Sequence, residues 1–174
     1  SMLYGYTDPD CFLGGKIPIA GNIVDQQSAL FGQACFKPGT VKTTYGTGCF
    51  MLMNTGHKIV DSPNGLLTTV AWGLNDKMSF ALDGGVYITG AAIQWLRDGL
   101  GIIASAKETE EMAKSVENTG DLYFVPAFTG LAAPYWDQYA RGMMIGITGG
   151  TTRAHVVRAT LESIAFQVNE ILKV

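Results

Sequence analysis

An acidic residue and two amides follow directly on an apolar run of the sequence. Asp25, Gln26 and Gln27 come straight after residues 17–24, which are mostly apolar. A carboxylate in that position can act as a general base on an alcohol if it faces a cleft. The Gln26 amide offers a donor and an acceptor that could orient a polyol. The alternative is structural, because Asp25 is also a good N-cap for the helix-like run that follows.

A second stretch with chemical potential is TTYGTGCF, residues 43–50. Gly46 and Gly48 allow a hairpin tip to turn tightly and to expose backbone N–H groups, and Thr47 adds a hydroxyl. Such a tip can hold phosphate oxygens without a lysine. It is not a Walker A loop, because G-x-x-x-x-G-K-[ST] occurs nowhere in the sequence. The alternative is an ordinary glycine-rich hairpin.

Two further stretches could contribute to a site. In ITGAAIQWL, Gly90 stands at a predicted helix start, where close backbone approach is possible and an anion is favoured. Gln94, one turn later, could reach a nucleotide, although the same residues could simply pack a helix start on a neighbour. In the aromatic loop 128–142, Asp137 and Arg141 could pair, and structural buttressing is the stronger reading of that loop.

The elements that must position these residues are read from periodicity and from glycine and proline punctuation. The pattern favours a mixed α/β fold in which helices cover a sheet. The predicted elements are a strand over 16–24, a helix over 25–36, a hairpin over 40–56, short strands over 57–83, helices over 89–101 and 105–118, a strand over 121–128, a loop over 129–142, a strand over 143–148 and a helix over 151–174.

The last predicted helix ends without a closing signal. Thr151 or Thr152 can cap its start, and apolar residues recur at helical spacing up to the end of the sequence. No glycine, asparagine or proline follows, so we expect the chain to be a segment of a longer protein, with a genuine C-terminal helix as the alternative. Residues 1–16 are predicted to be an irregular lead-in and 17–174 a partial domain.

Composition excludes several classes of function. The chain has 174 residues and a formal charge of −3, and it contains no basic stripe, so nucleic acid is a poor candidate partner. Three widely spaced cysteines and two histidines argue against a disulfide framework or a structural zinc site and fit a reducing cytoplasm. No apolar run reaches the ~18 residues of a membrane span.

Taken together and in this order, the motifs closely resemble the FGGY family of carbohydrate kinases, in particular its members that phosphorylate glycerol. The resemblance extends from about residue 14 to 174, and it is strongest in residues 25–56, 65–73, 88–98, 125–142 and 158–167. It implies an α/β fold of the actin-like/ribonuclease-H-like ATPase type, with a mixed sheet and flanking helices, truncated before its last elements. It also implies a cytoplasmic enzyme that uses ATP and Mg²⁺ to convert glycerol to glycerol 3-phosphate.

The resemblance assigns roles to individual residues. Asp25 matches the catalytic base, which also contacts the substrate, and no residue matches a metal ligand. The remaining assignments are to the two substrates, with Gln26 and Phe50 on glycerol, and with Gly46, Thr47, Gly48, Gly90 and Gln94 on the nucleotide.

Some features depart from the family pattern. Val24 replaces the usual glycine before the base, Ala132 replaces a glycine in the aromatic loop, and Lys16 stands where effector-binding members have an arginine. The N-terminal lobe and the C-terminal remainder expected for the family are missing, so the isolated chain is predicted to be inactive.

Two alternatives stay open: a kinase for another polyol or sugar, and a non-catalytic folding or assembly unit that could form homo-oligomers.

Overall fold

The structure is a computed structural model that describes residues 2–174. Contacts divide the chain into two compact units, which we describe separately. Unit 1 contains the chain up to Lys42, Leu52–Asp61 and Thr68–Leu82, and unit 2 contains Thr43–Met51, Ser62–Leu67 and Asp83–Val174. The helices and strands, in chain order, are β1 Gly5–Tyr6, β2 Pro18–Ile19, α1 Asp25–Gly32, β3 Val41–Tyr45, β4 Cys49–Gly56, β5 Leu67–Leu74, β6 Lys77–Val86, α2 Gly90–Gln94 with a π-helical turn Trp95–Gly99, α3 Glu108–Lys114, β7 Tyr123–Val125, β8 Met143–Ile145 and α4 Arg153–Lys173.

The largest sheet has four strands in the order β3-β4-β6-β5. The hairpin predicted over 40–56 is confirmed as β3 and β4. The strands predicted over 57–83 are longer than expected, since β5 has 8 residues and β6 has 10. Asn75 and Asp76 link them with φ values of 50° and 58°. Such left-handed pairs match the right-handed twist of a hairpin, and Asn and Asp tolerate them well.

The strand predicted over 16–24 is wrong for most of its length. Only Pro18 and Ile19 form a strand, paired antiparallel with Gly5 and Tyr6 inside the predicted lead-in. Residues 17–24 are all exposed, so the apolar run is not a buried strand. Pro18 has no N–H to donate, and Gly21 with Asn22 favours irregular backbone, which explains the early end of the pairing.

Unit 1 has a small core that fixes helix α1, the helix predicted over 25–36. Leu30 points into this core and is 0% exposed. Beside it, the rings of Phe31, Phe36 and Trp72 meet edge to face, with centroids of Phe31 and Trp72 5.4 Å apart. The buried core residues are Leu30, Cys35, Leu52, Ala71 and Ala81.

Unit 2 is organised around the long helix α4. Thr152 is its N-cap, and the His155 ring accepts from the Thr152 amide at 3.1 Å, which confirms one of the two predicted caps. Arg158 donates to the carbonyl of Val116 at 2.7 Å and so ties α4 to the segment that follows α3. The predicted apolar face is partly confirmed, since Val157, Val168 and Ile171 are buried, while Ala165 and Leu172 are exposed.

The remaining predicted elements of unit 2 are present but shorter. The helix predicted over 89–101 is α2 followed by the π-helical turn, and the helix over 105–118 is α3, Glu108–Lys114. Strands β7 and β8 pair antiparallel on either side of the predicted loop. Across residues 2–174, no helix has the length and hydropathy required to cross a bilayer.

Leu30 anchors the helix that carries Asp25, so its truncation tests the core of unit 1. Leu30→Ala leaves a cavity in a fully buried position and is expected to lower the free energy of unfolding by about 2–5 kcal/mol. Leu172→Ala, at a helical position that is 63% exposed, should change it by less than about 0.5 kcal/mol. Urea unfolding of the 174-residue chain measures both, and equal effects would contradict the described core.

Candidate active site

Asp25 is the first residue of α1 rather than its cap. The N-cap is Val24, with extended backbone (φ −72°, ψ 153°) and no capping side chain. The structural alternative, in which Asp25 caps the helix, is therefore wrong, since its side chain accepts no bond from the amides of the first turn. Its carboxylate is exposed at the start of the helix, where the unpaired amides favour negative charge.

A chain of three polar side chains lies at the start of α1. The Gln26 amide donates to Oδ2 of Asp25 at 3.1 Å. The carbonyl oxygen of Gln26 in turn accepts a hydrogen bond from Nζ of Lys42. Lys42 is on β3 and is 5% exposed, which is rare for a lysine unless it has a polar partner.

Sequence reasoning missed Lys42, although a signal was available. Val41 and Thr43 on either side are exposed, and side chains alternate between the faces of a strand. A lysine at the intervening position therefore faces the covered side of the sheet, where an ammonium group needs an acceptor.

In unit 2, the hairpin tip between β3 and β4 is bonded to the start of α2. The carbonyl of Gly46 accepts from the Gly90 amide at 2.9 Å, and the carbonyl of Thr47 accepts from the amides of Thr89 and Ala91 at 2.9 and 3.0 Å. The Thr89 hydroxyl adds a bond to the Gly46 carbonyl at 3.1 Å. The first amides of α2 are thus occupied by the hairpin and are not available to an anion. We call this arrangement of residues 46–48 with residues 89–91 the tip–helix lock.

Two glycines allow close backbone approach in and around the tip–helix lock. A Cβ on Gly90 would lie 2.4 Å from the carbonyl oxygen of Gly46, and a Cβ on Gly48 would lie 2.6 Å from that of Val86. Both contacts are with backbone, so neither can be relieved by turning a side chain. The glycines predicted for phosphate approach therefore have a structural role, which is close approach of one backbone segment to another.

Thr47 is the part of the tip that remains open. It is exposed, and neither its amide nor its hydroxyl bonds to a protein acceptor within residues 2–174. Beside it, partial desolvation raises the pKa of Tyr45 above its usual value, and the nearby Cys49 adds to that shift. The Tyr45 phenol is therefore neutral at physiological pH.

Two further predicted residues follow the segments of the tip–helix lock in the sequence, Phe50 in β4 and Gln94 at the end of α2. Gln94 is exposed at the end of α2, immediately before the π-helical turn. That turn depends on Gly99, where a Cβ would lie 2.6 Å from the Trp95 ring, and π-turns are frequent at functional sites. Phe50 is 37% exposed, and its ring faces Gly85, whose Cβ position would lie 3.4 Å from it.

The aromatic loop predicted over 129–142 is confirmed as a loop, but the Asp137–Arg141 pair is not formed. Asp137 accepts from the amides of Tyr139 and Ala140, and Arg141 donates to the carbonyls of Gln138 and Ala140. Short-range backbone partners satisfy both charges locally. The loop is held instead by the Trp136 indole, which donates to the Gly65 carbonyl at 2.7 Å.

The structure thus groups the predicted site residues in two sets. Asp25 and Gln26 lie together in unit 1, with Lys42 as an added member. The remaining predicted residues belong to unit 2, and the tip–helix lock brings four of them together: Gly46, Thr47, Gly48 and Gly90. Within residues 2–174, no three side chains of metal-ligating type cluster closely enough to hold an ion.

Comparison with known proteins identifies the family of the chain. Residues 41–174 match the family model described as the C-terminal domain of the FGGY family of carbohydrate kinases. The chain belongs to that family. Its solved neighbours include a xylulose kinase from Lactobacillus acidophilus, with a TM-score of 0.75 and 22% identity over 92% of this chain and 32% of that one. The expected actin-like ATPase fold, here a part of it, is confirmed.

Within the family, the chain is similar to glycerol kinases. Glycerol kinase 2 of Thermotoga maritima is 64% identical over 100% of this chain and 35% of its own length. A crystal structure of Plasmodium falciparum glycerol kinase with ADP matches with a TM-score of 0.81 and 48% identity, over 90% of this chain and 31% of that one. The chain spans about a third of the length of the curated relatives it matches.

The tip–helix lock predicts that residue 90 cannot carry a side chain. Gly90→Ala puts a methyl group against the Gly46 carbonyl and is expected to lower the free energy of unfolding by about 1–3 kcal/mol. Gly32→Ala is the matched control, because no atom lies within 4 Å of its Cβ position and alanine suits a helix. Denaturant unfolding measures both, and a Gly90→Ala chain as stable as the Gly32→Ala chain would contradict the lock.

Proposed function

We propose that this chain is the part of a glycerol kinase that carries the catalytic base, and that the whole protein transfers the terminal phosphoryl group of ATP to glycerol. The observation that carries the proposal is 64% identity over the full chain to a curated glycerol kinase. The exposed Asp25 carboxylate, held by an amide at the start of a helix, supplies the acid–base chemistry that such an enzyme needs.

Asp25 is the proposed general base. One of its carboxylate oxygens, Oδ2, accepts a hydrogen bond from Gln26. The other, Oδ1, is left to accept the proton of a glycerol hydroxyl while the oxygen of that hydroxyl attacks phosphorus. The second N–H of the Gln26 amide can donate to another hydroxyl of glycerol. Phe50 offers an apolar ring to the carbon backbone of a small polyol.

The nucleotide is proposed to contact the hairpin tip and α2. Thr47 offers an unbonded amide and hydroxyl to phosphate oxygens, and Gly46 and Gly48 keep the surrounding tip free of side chains. The Gly90 amide is occupied by Gly46, so the proposed contact of Gly90 with the nucleotide is a van der Waals contact of its backbone and not a hydrogen bond from its amide. Gln94 extends that line by one helical turn.

Mg²⁺ is proposed to enter with the nucleotide. In phosphoryl transfer it is held by phosphate oxygens, water and one or two carboxylates rather than by a protein cage. When bound, it neutralises charge that develops on the transferred phosphoryl group.

The proposal extends to domain organisation. We infer that residues 17–174 are a partial C-terminal domain of the FGGY type, and that the whole protein includes the further segments present in its relatives. The isolated chain is then expected to show weak or no turnover. All three cysteines are thiols in the structure, which suits a cytoplasmic enzyme.

A coupled assay on the whole protein tests the reaction itself. Glycerol and ATP are expected to give glycerol 3-phosphate and ADP, with kcat/KM for glycerol well above the values for xylulose and gluconate. A higher value for either sugar substrate would support the alternative of a different FGGY kinase, and no turnover with any acceptor would support a non-catalytic role.

Replacement of Asp25 tests its role as base. Asp25→Asn keeps the shape of the side chain but cannot take a proton, so kcat is expected to fall by about 10²–10⁴-fold, with little change in the KM for ATP. Asp10→Asn, at an exposed carboxylate of the same unit, is the control and should keep the normal rate. An Asp25→Asn enzyme that works at the normal rate would remove Asp25 from the mechanism.

Replacement of Thr47 tests the proposed phosphate contact. Thr47→Val keeps the branched shape and removes the hydroxyl, so ADP affinity is expected to fall by about 10-fold or more, as for the loss of a hydrogen bond to a charged group. Thr43→Val makes the same change at an exposed position of β3 and should leave affinity unchanged. Isothermal titration with ADP measures both, and equal affinities would place the phosphates elsewhere.

A further inference from the structure

We propose that Lys42 is a positioning residue for the phosphoryl-transfer reaction, acting on Asp25 through Gln26. The inference rests on the proposed function, in which Asp25 is the base. Lys42 does not reach the substrate in this scheme. It fixes which end of the Gln26 amide faces the carboxylate.

The ammonium group of Lys42 determines the orientation of the Gln26 amide. An ammonium has only donors, so it must meet the carbonyl oxygen of Gln26 and not its NH₂ group. The contact is between Nζ and Oε1, and Lys42 is 5% exposed. The NH₂ group is then left to face Asp25, where it donates to Oδ2 at 3.1 Å.

A third group is needed because Asp25 and Gln26 are consecutive residues of a helix. Side chains at i and i+1 point in different directions and do not normally contact each other. The Asp25 carboxylate is exposed and, within residues 2–174, its side chain has no other hydrogen bond. Without the Lys42 contact, the Gln26 amide could flip or swing away, and the carboxylate would sample several rotamers.

A purely structural role for Lys42 makes a different prediction. A buried lysine that merely satisfies its charge would affect the free energy of unfolding and would leave the kcat of the folded enzyme unchanged. A lysine that acts through Gln26 must instead lose its effect on kcat once Gln26 is removed. The coupling between the two positions therefore separates the two roles.

The experiment is a double-mutant cycle on the whole protein, with steady-state kinetics for glycerol and ATP. Lys42→Met keeps the side-chain length and removes the ammonium group, and kcat is expected to fall by about 10–100-fold, as expected for small misplacements of a reacting group. The KM for ATP should change by less than about 2-fold. In a Gln26→Ala background, Lys42→Met should lower kcat by less than about 2-fold further.

Two further variants complete the design. Lys37→Met changes an exposed lysine of the same unit and should keep the normal kcat. If Lys42→Met does not fold, Lys42→Gln replaces it, because a neutral amide can fill the site and form hydrogen bonds there. An amide can both donate and accept, so it can meet either end of the Gln26 side chain and no longer fixes its orientation. The same fall in kcat and the same loss of effect in the Gln26→Ala background are expected.

The outcomes separate this inference from the proposed function. The role of Lys42 would be overturned by a normal kcat in the Lys42 variants. It would also be overturned if Lys42→Met lowered kcat by the same factor with Gln26 present and in the Gln26→Ala background. In either case a slow Asp25→Asn enzyme would still support Asp25 as the general base. An Asp25→Asn enzyme of normal speed would overturn both. A fall in kcat that disappears in the Gln26→Ala background supports the role of Lys42.

Discussion

The candidate site in unit 2 depends on how closely two backbone segments approach each other. The carbonyls of Gly46 and Thr47 accept from the first amides of α2, and this close approach requires that residue 90 has no Cβ. The bonds consume the amides that a helix start would otherwise offer to an anion. They also hold the tip in a shape that leaves Thr47 exposed. One steric constraint therefore decides which backbone amides of this region are already bonded and which are left open.

A different kind of constraint organises the site residues of unit 1. Leu30 fixes α1 on the core, and the helix then presents Asp25 at its first position with an exposed carboxylate. The Gln26 side-chain amide donates to that carboxylate, and the buried Lys42 donates in turn to the side-chain carbonyl oxygen of Gln26. Apolar burial sets the position of the helix, and polar contacts set the direction of one side chain. This separation of apolar packing from polar contacts would suit the proposed phosphoryl transfer, which depends mainly on positioning and electrostatics.

Much of the fold could be predicted from the sequence, because glycine, proline and β-branched residues act on the conformation of their own stretch of backbone. The sequence correctly indicated the hairpin around Gly46, the loop after Phe128 and the Thr152 start of α4. It failed where the outcome depends on distant partners. Residues 17–24 look like a buried strand, but most of them pair with no strand. The partners of Lys42 and of the α2 amides come from other parts of the chain, so no local pattern reveals them.

Amide hydrogen exchange on the whole protein, with and without ADP, tests the central constraint most directly. The amides of Thr89, Gly90 and Ala91 are expected to exchange slowly before ADP is added, because the hairpin carbonyls already hold them. The Thr47 amide is expected to exchange fast alone and to slow when ADP binds. Fast exchange at residues 89–91 that slows only with ADP would show that the helix start, and not the hairpin tip, holds the phosphates.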